Sequence, residues 1–338
     1  MKIGIVNDTD MATQAIAMTL STAGEHRVLW TARSGPEAVK LCGADPPDLV
    51  LMDLVMPGMN GAETTRQIMR ASPTAVLIVT ASVASNCALA FEAMGAGALD
   101  VIATPSLNSN QGRGEFLQKI AQIGCIIADH HKPAAPPRCQ PETLSCAAAG
   151  ATDTLVAIGC SAGGPAAIAQ ILGDLKPVGP AAVVIVQHID ARFVEDLAKW
   201  LAGFSKDPLT LVTEGDLIEP GHIYLAGKGG HIEAHSCSRL RYDSNLGGLA
   251  YQPSVDVFFA SIARNWRGRA LGAVLTGMGR DGCEGLHAMR AAKFTTLAQD
   301  EASSALFGMP KAAAPYAAEI LSLTAIAPRL NRWIQTGK

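Results

Sequence analysis

At 338 residues, 49% of them apolar, the chain is too long for one ordinary core and fits two domains. A net charge of -3 leaves no excess of Lys and Arg, which argues against a nucleic-acid partner or an anionic-membrane footprint and for a protein or small-molecule partner. The eight cysteines form no Cys-x-x-Cys pair, no stretch reaches the ~18 to 20 apolar residues of a bilayer span, and the N-terminus runs from Met1 straight into a strand pattern. A reduced, cytoplasmic protein without membrane insertion is therefore expected.

Residues 1 to about 125 alternate short apolar runs with helical patterns, the signature of βαβ units in a parallel sheet. Strands are predicted at 2–7, 27–31, 48–52, 75–80 and 99–103, and helices near 10–22, 35–43, 61–70, 84–95 and 113–128. From His130 to about Thr152 the Pro- and Ala-rich texture loses all periodicity and reads as a linker. A second alternating pattern follows, with strands at 154–159, 181–187, 209–213, 222–226, 231–235, 270–275 and 294–298. Helices are predicted at 165–175, 192–203, 255–266 and 282–292, with one more at the C-terminus. The expected fold class is α/β, with two doubly wound parallel-sheet domains at 1–128 and 153–338 joined by a linker at 129–152.

In an open parallel sheet the carboxyl ends of the strands form the usual crevice for chemistry. Asp8 follows the first strand and Asp53 ends the third, so two carboxylates share one edge, an arrangement a Mg²⁺ ion would relieve of its repulsion. Thr80 ends the fourth strand on that edge and offers a hydroxyl to an anion. Taken singly, each acid reads as a helix cap. Asp53 is however followed by Leu54-Val55-Met56-Pro57-Gly58-Met59-Asn60-Gly61, and this stretch resembles the phosphoacceptor loop of response-regulator receiver domains, which are flavodoxin-like. The resemblance implies that Asp53 accepts a phosphoryl group, that Asp8, Asp53 and the Val55 carbonyl hold Mg²⁺, and that Thr80 reads the phosphorylated state. Two departures stand out: Asn7-Asp8 replaces the usual acidic pair, and Thr104 stands before Pro105 where the family carries Lys.

The second domain holds the stronger catalytic signal. Gly159-Cys160-Ser161-Ala162-Gly163 satisfies Gly-x-Ser-x-Gly at a predicted strand-to-helix junction, where small neighbours allow a sharp turn that exposes a serine hydroxyl. The same glycines would also suit a plain tight turn or a phosphate cradle. His188 ends the strand 181–187, and Asp281 follows the strand 270–275. Each has a bland reading, a satisfied polar residue and a helix N-cap. Together the three strand ends bring a nucleophile, a base and an orienting acid to one rim. The chain order Ser, His, Asp differs from that of α/β-hydrolases and of the familiar serine proteases.

Residues from about Thr154 onward resemble the catalytic domain of chemotaxis protein-glutamate methylesterases, and the N-terminal receiver matches that family's architecture. Supporting stretches are Gln187-His188, Pro253-Ser254-Val255-Asp256, Thr276-Gly277-Met278-Gly279, and Ala298-Gln299-Asp300-Glu301 through Pro310. The resemblance implies a triad of Ser161, His188 and Asp281, an oxyanion contact from the Met278 N–H, and no cofactor at the esterase site. It also implies methyl-accepting chemoreceptor helices as substrate, with glutamine deamidation by the same route, and a chemotaxis-type histidine kinase as phosphodonor. Ala162 departs from the usual Thr.

Three further signals are weighed and set aside. His231-Ile232-Glu233-Ala234-His235 lacks the helical pattern and the His-Glu order of a zincin, Cys160 reads as a small apolar group, and His130-His131 reads as solvated. Arg192-Phe193 is the expected docking point for a receptor helix. The rival functions are a hydrolase of small soluble esters, a non-catalytic receptor-binding module, and a specialised paralogue serving surface behaviour or cyclic-di-GMP signalling.

Overall fold

The computed structural model describes residues 1–24, 26–81, 86–105, 110–128, 152–189, 191–227, 230–235, 238–243 and 252–337. It separates into two units, Met1–Pro133 and Ala134–Lys338. Of the expected linker at 129–152 only Thr152 lies among the described residues, and His130-His131 lies outside them.

The first unit follows the expected alternation: β1 (Lys2–Val6), α1 (Asp10–Ala23), β2 (Arg27–Ala32), α2 (Gly35–Ala44), β3 (Leu49–Met52) and α3 (Gly61–Ala71), then β4 (Ala75–Thr80), α4 (Cys87–Gly95), β5 (Asp100–Ala103) and α5 (Asn110–Ala128). The five strands are parallel in the order β2-β1-β3-β4-β5. Because β1 pairs with both β2 and β3, the loops leaving β1 and β3 emerge side by side at the point where the strand order reverses. There the Asp53 N–H donates to the Val6 carbonyl at 2.9 Å.

The second unit runs β6 (Thr154–Cys160), α6 (Gly164–Asp174), β7 (Ala181–Gln187), α7 (Val194–Ala202), β8 (Leu209–Leu211), β9 (Ile223–Ala226), β10 (His231–His235) and β11 (Arg239–Asp243). It continues with α8 (Val255–Asn265), β12 (Arg269–Val274), α9 (Cys283–Ala291), β13 (Thr295–Gln299), α10 (Met309–Ala313), β14 (Glu319–Leu321) and α11 (Leu323–Thr336). Seven strands form one parallel sheet in the order β14-β13-β12-β6-β7-β9-β8. The central strands β6 and β7 are buried at every residue, as strands covered by helices on both faces must be, which is why they read as unbroken apolar runs. The expectation of a purely parallel domain needs one amendment, since β10 pairs antiparallel with β11 in a separate two-stranded sheet.

Helix α8 positions the site. Val255, Phe258, Phe259 and Ile262 recur at helical spacing, are fully buried, and share a core with Leu155 and Ala157 of β6 and Val184 and Val186 of β7. Truncating either phenylalanine to Ala would cost about 3 to 5 kcal/mol. The Ser254 hydroxyl accepts from the Val257 N–H at 3.4 Å and so caps the first turn. Among the described residues no helix is long and apolar enough to cross a membrane.

Candidate active site and receiver pocket

The turn that carries the expected nucleophile is built where β6 gives way to α6. Ser161 is 7% exposed, and its N–H donates to the Thr276 carbonyl at 3.1 Å while its carbonyl accepts from Gly164 N–H at 2.8 Å and Gln187 Nε2 at 2.9 Å. Gly163 has φ 74, in the left-handed region that lets the chain turn sharply into the helix. Gly277 on the neighbouring loop is held to glycine by contact: a Cβ there would sit 2.3 Å from Met309 Sδ and 2.9 Å from Ser161 Cβ.

His188 follows β7, and its N–H donates to the Cys160 carbonyl at 3.0 Å, which sets it beside the peptide that carries Ser161. Its Nε2 lies 2.7 Å from Asp281 Oδ2, and the two side chains are 8% and 6% exposed. Asp281 stands beyond β12, so the three sequence-predicted residues leave the adjacent strands β7, β6 and β12 at their carboxyl ends.

The Asp281 carboxylate is saturated with donors. Oδ1 accepts from the Ser254 hydroxyl at 2.8 Å and the Asp256 N–H at 3.0 Å; Oδ2 accepts from the Val255 N–H at 2.7 Å as well as facing His188. Two of these donors are the first N–H groups of α8, which have no partner within the helix and point their positive end at the anion. Burial opposes ionisation of Asp281, yet His188 and the Asp256 and Val255 N–H groups outweigh it and hold the group below the ordinary carboxylate range. Asp256 goes the other way: burial first, then the charge of Asp281, raises its pKa to about 7, with the Gly285 N–H donating to it at 2.7 Å. The carboxylate with four donors keeps the charge, and its neighbour is the more readily protonated of the two.

The loop after β12 is braced from the other side. The Thr276 N–H donates to Gln299 Oε1 at 2.8 Å, and the Thr276 hydroxyl donates to the Ala162 carbonyl at 3.0 Å and accepts from the Leu306 N–H at 2.9 Å. Beyond it the Gly277 carbonyl accepts from the N–H groups of Gly308 and Met309, and among the described residues the Met278 N–H is committed to no hydrogen bond. Gln187 and Gln299 are both 0% exposed. Their stretches carry the family resemblance, but the sequence offers no local sign that they brace the nucleophile and the Met278 loops. Cys160 is also 0% exposed, burial drives its thiol far up, and its Sγ lies 3.1 Å from Gln187 Oε1, so it packs rather than reacts.

In the receiver pocket Asp53 is partly buried and Asp8 exposed. Burial, then the charge of Asp8, raises the Asp53 pKa against the Leu54 and Val55 N–H groups, which lower it. Asn7 is 3% exposed; its Nδ2 donates to Asp53 Oδ2 at 3.0 Å and its Oδ1 accepts from the Thr9 N–H at 2.8 Å. The residue in place of the second acid thus bonds the expected phosphoacceptor directly. Thr80 is buried at the end of β4 and its carbonyl accepts from the Thr104 N–H at 3.0 Å, while Val55 is exposed. Lys119 reaches Asp100 at 2.7 Å and forms an ion pair there.

Within the His231–His235 stretch two side chains have protein partners. His231 is 2% exposed and its Nδ1 accepts from the Ser254 N–H at 3.2 Å, while Glu233 pairs with Arg264 at 2.8 Å. At the expected docking point Phe193 is 7% exposed, and the Arg192 side chain lies outside the described residues.

Comparison with known proteins agrees with this layout. Residues 156–330 match the family model for CheB methylesterase, and residues 3–110 match that for the response regulator receiver domain. Protein-glutamate methylesterase/protein-glutamine glutaminase 4 of Burkholderia thailandensis is 47% identical over 343 residues, covering 100% of this chain and 99% of the relative. Protein-glutamate methylesterase/protein-glutamine glutaminase 3 of Pseudomonas aeruginosa is 47% identical, with 98% of each covered. The crystal structure of the Thermotoga maritima CheB methylesterase catalytic domain matches with a TM-score of 0.50 and 29% identity, over 53% of this chain and 97% of that one. By its length, its paired domains and its likeness to these relatives, the chain belongs to the CheB methylesterase family, with a response-regulator receiver domain at its N-terminus.

Proposed function

We propose that this chain hydrolyses γ-methyl esters of glutamate side chains, and amides of glutamine side chains, on the cytoplasmic helices of methyl-accepting chemoreceptors, with Ser161, His188 and Asp281 as its triad. The observation that carries the reading is the 2.7 Å contact of His188 Nε2 with the buried Asp281, beside the turn that holds Ser161. With Nε2 engaged by the carboxylate, Nδ1 is the nitrogen that takes the serine proton. The Ser161 Oγ attacks the ester carbonyl, and the charge that grows on its oxygen meets the Met278 N–H, a donor worth about 2.7 to 4 kcal/mol in the transition state. Collapse of the tetrahedral adduct returns the proton from Nδ1 to the leaving methoxide, or to the leaving amine of an amide, and leaves Ser161 acylated. Water, deprotonated by the same imidazole, then releases the glutamate carboxylate and restores the hydroxyl. Throughout, Asp281 remains the anion that holds the ring and stabilises its cation.

The receiver supplies control. Asp53 is the phosphoacceptor for a chemotaxis-type histidine kinase, Thr80 the residue that reads the phosphoryl group, and phosphorylation raises activity toward receptor. The repulsion between Asp8 and Asp53 fits a divalent cation, which Asp8, Asp53 and the Val55 carbonyl would hold. When bound, Mg²⁺ neutralises the charge of the incoming phosphoryl oxygens. Asn7 spends its carbonyl on Thr9 and its amide on Asp53, so it holds the acceptor carboxylate in place instead of adding a third negative group. A cytoplasmic location follows from this partner set.

Incubation with membranes carrying methyl-labelled receptor tests the whole reading. Labelled methanol should appear, faster with a small-molecule phosphodonor than without; no methanol release in either condition overturns it.

A further inference from the structure

We propose that Ser254 is a positioning residue of this esterase, whose hydroxyl clamps the Asp281 carboxylate and through it sets the orientation of His188. The inference rests on the triad reading above and adds a fourth side chain to it. Ser254 occupies the head of α8, where a serine needs no explanation beyond capping the helix. Its geometry goes further. The capping bond from the Val257 N–H is long, 3.4 Å, whereas the bond that the hydroxyl donates to Asp281 Oδ1 is 2.8 Å. A hydroxyl has one proton and two lone pairs, so it does both at once, and the proton goes to the carboxylate.

The clamp is itself fixed. Ser254 is 4% exposed, and its N–H donates to Nδ1 of the buried His231 on β10, which ties the head of α8 to a second element. Asp281 Oδ1 has two donors, the Ser254 hydroxyl and the Asp256 N–H. Without the first, Oδ1 keeps a single donor, only the Asp256 and Val255 N–H groups oppose rotation of the carboxylate about its Cβ–Cγ bond, and Oδ2 is held less firmly against His188. A residue that only capped α8 would affect stability and leave kcat where it was.

Because glycine serves nearly as well as serine at a helix N-cap, Ser254→Gly removes the hydroxyl and keeps the helix. For methyl-ester hydrolysis by the full chain, kcat should fall about 10- to 100-fold, the value of a hydrogen bond to a charged group. KM should be unchanged, and Ser254→Thr should restore the rate. A loss confined to KM, or no rescue by threonine, overturns the clamp. Ser161→Ala measured in parallel separates the two claims: if it keeps activity the triad reading fails, whereas if it is dead and Ser254→Gly matches the parent, only the clamp fails.

Discussion

Asp281 and Asp53 both stand at the carboxyl ends of parallel strands, and the molecule treats them in opposite ways. Asp281 is buried, is met by four donors and is held ionised. Asp53 is partly buried, is raised by that burial and by Asp8, and faces one side-chain donor, Asn7. The first arrangement suits a charge that must neither move nor change during a catalytic cycle, because fixed donors cost no reorganisation when the imidazolium forms. The second suits a charge to be covered by a cation and then by a phosphoryl group. The same kind of strand end, in two separate sheets, thus surrounds one acid with donors and leaves the other with few, and the donors around each acid decide how firmly its charge is held.

The comparison breaks first if Asp281 can lose its charge cheaply. Asp281→Asn keeps the size and removes the anion, and kcat for ester hydrolysis should fall about 10⁴-fold, as assays with labelled receptor would read. Gly277→Ala tests the rigidity of the same site: the added methyl would press on Ser161 and Met309, and a shift of the nucleophile near 1 Å should lower kcat about 100-fold with the melting temperature changed by a few degrees. On the receiver side, Thr104→Lys returns a cation to the phosphoryl site. It should raise the phosphorylated fraction of Asp53 at a fixed phosphodonor concentration by about 10-fold, the lower end of a charged hydrogen bond, as gel separation of the phosphorylated form would show. No change would mean that the receiver's departures are neutral.

The smallest effect is a pH dependence of stability. Asp256 is protonated in the folded chain up to about 7 and ionised in the unfolded chain from the ordinary carboxylate range upward. In that window the folded state binds more protons, so stability falls as pH rises, at most by about 1.4 kcal/mol per pH unit. Asp281, held low, contributes in the opposite sense and only at acid pH. Asp256→Asn should therefore flatten denaturant midpoints measured across the window, and an unchanged slope would show that Asp256 is not the proton carrier.

Strand ends were the readable part of this molecule. Ser161, His188 and Asp281 could be placed because unbroken apolar runs mark buried parallel strands and the residues after them share one edge. The second strand of the β10–β11 hairpin and the short edge strand β14 were not readable: Arg239–Asp243 interleaves charge with one buried leucine, and Glu319–Leu321 is three residues long. Contacts between distant segments were equally silent. The bond from Ser254 to Asp281 spans 27 residues and that from Asn7 to Asp53 spans 46. Neither a helix-capping serine nor an asparagine at a strand end announces such a partner.

What matters most in this account is that the Ser161 hydroxyl is the nucleophile and His188 its base. A phosphonate ester that traps activated serines, followed by peptide mass mapping, measures this directly. One adduct per chain on Ser161, formed in step with loss of methylesterase activity and absent from His188→Ala, is the expected result. Full activity without an adduct, or an adduct on another residue that accounts for the loss, would contradict it.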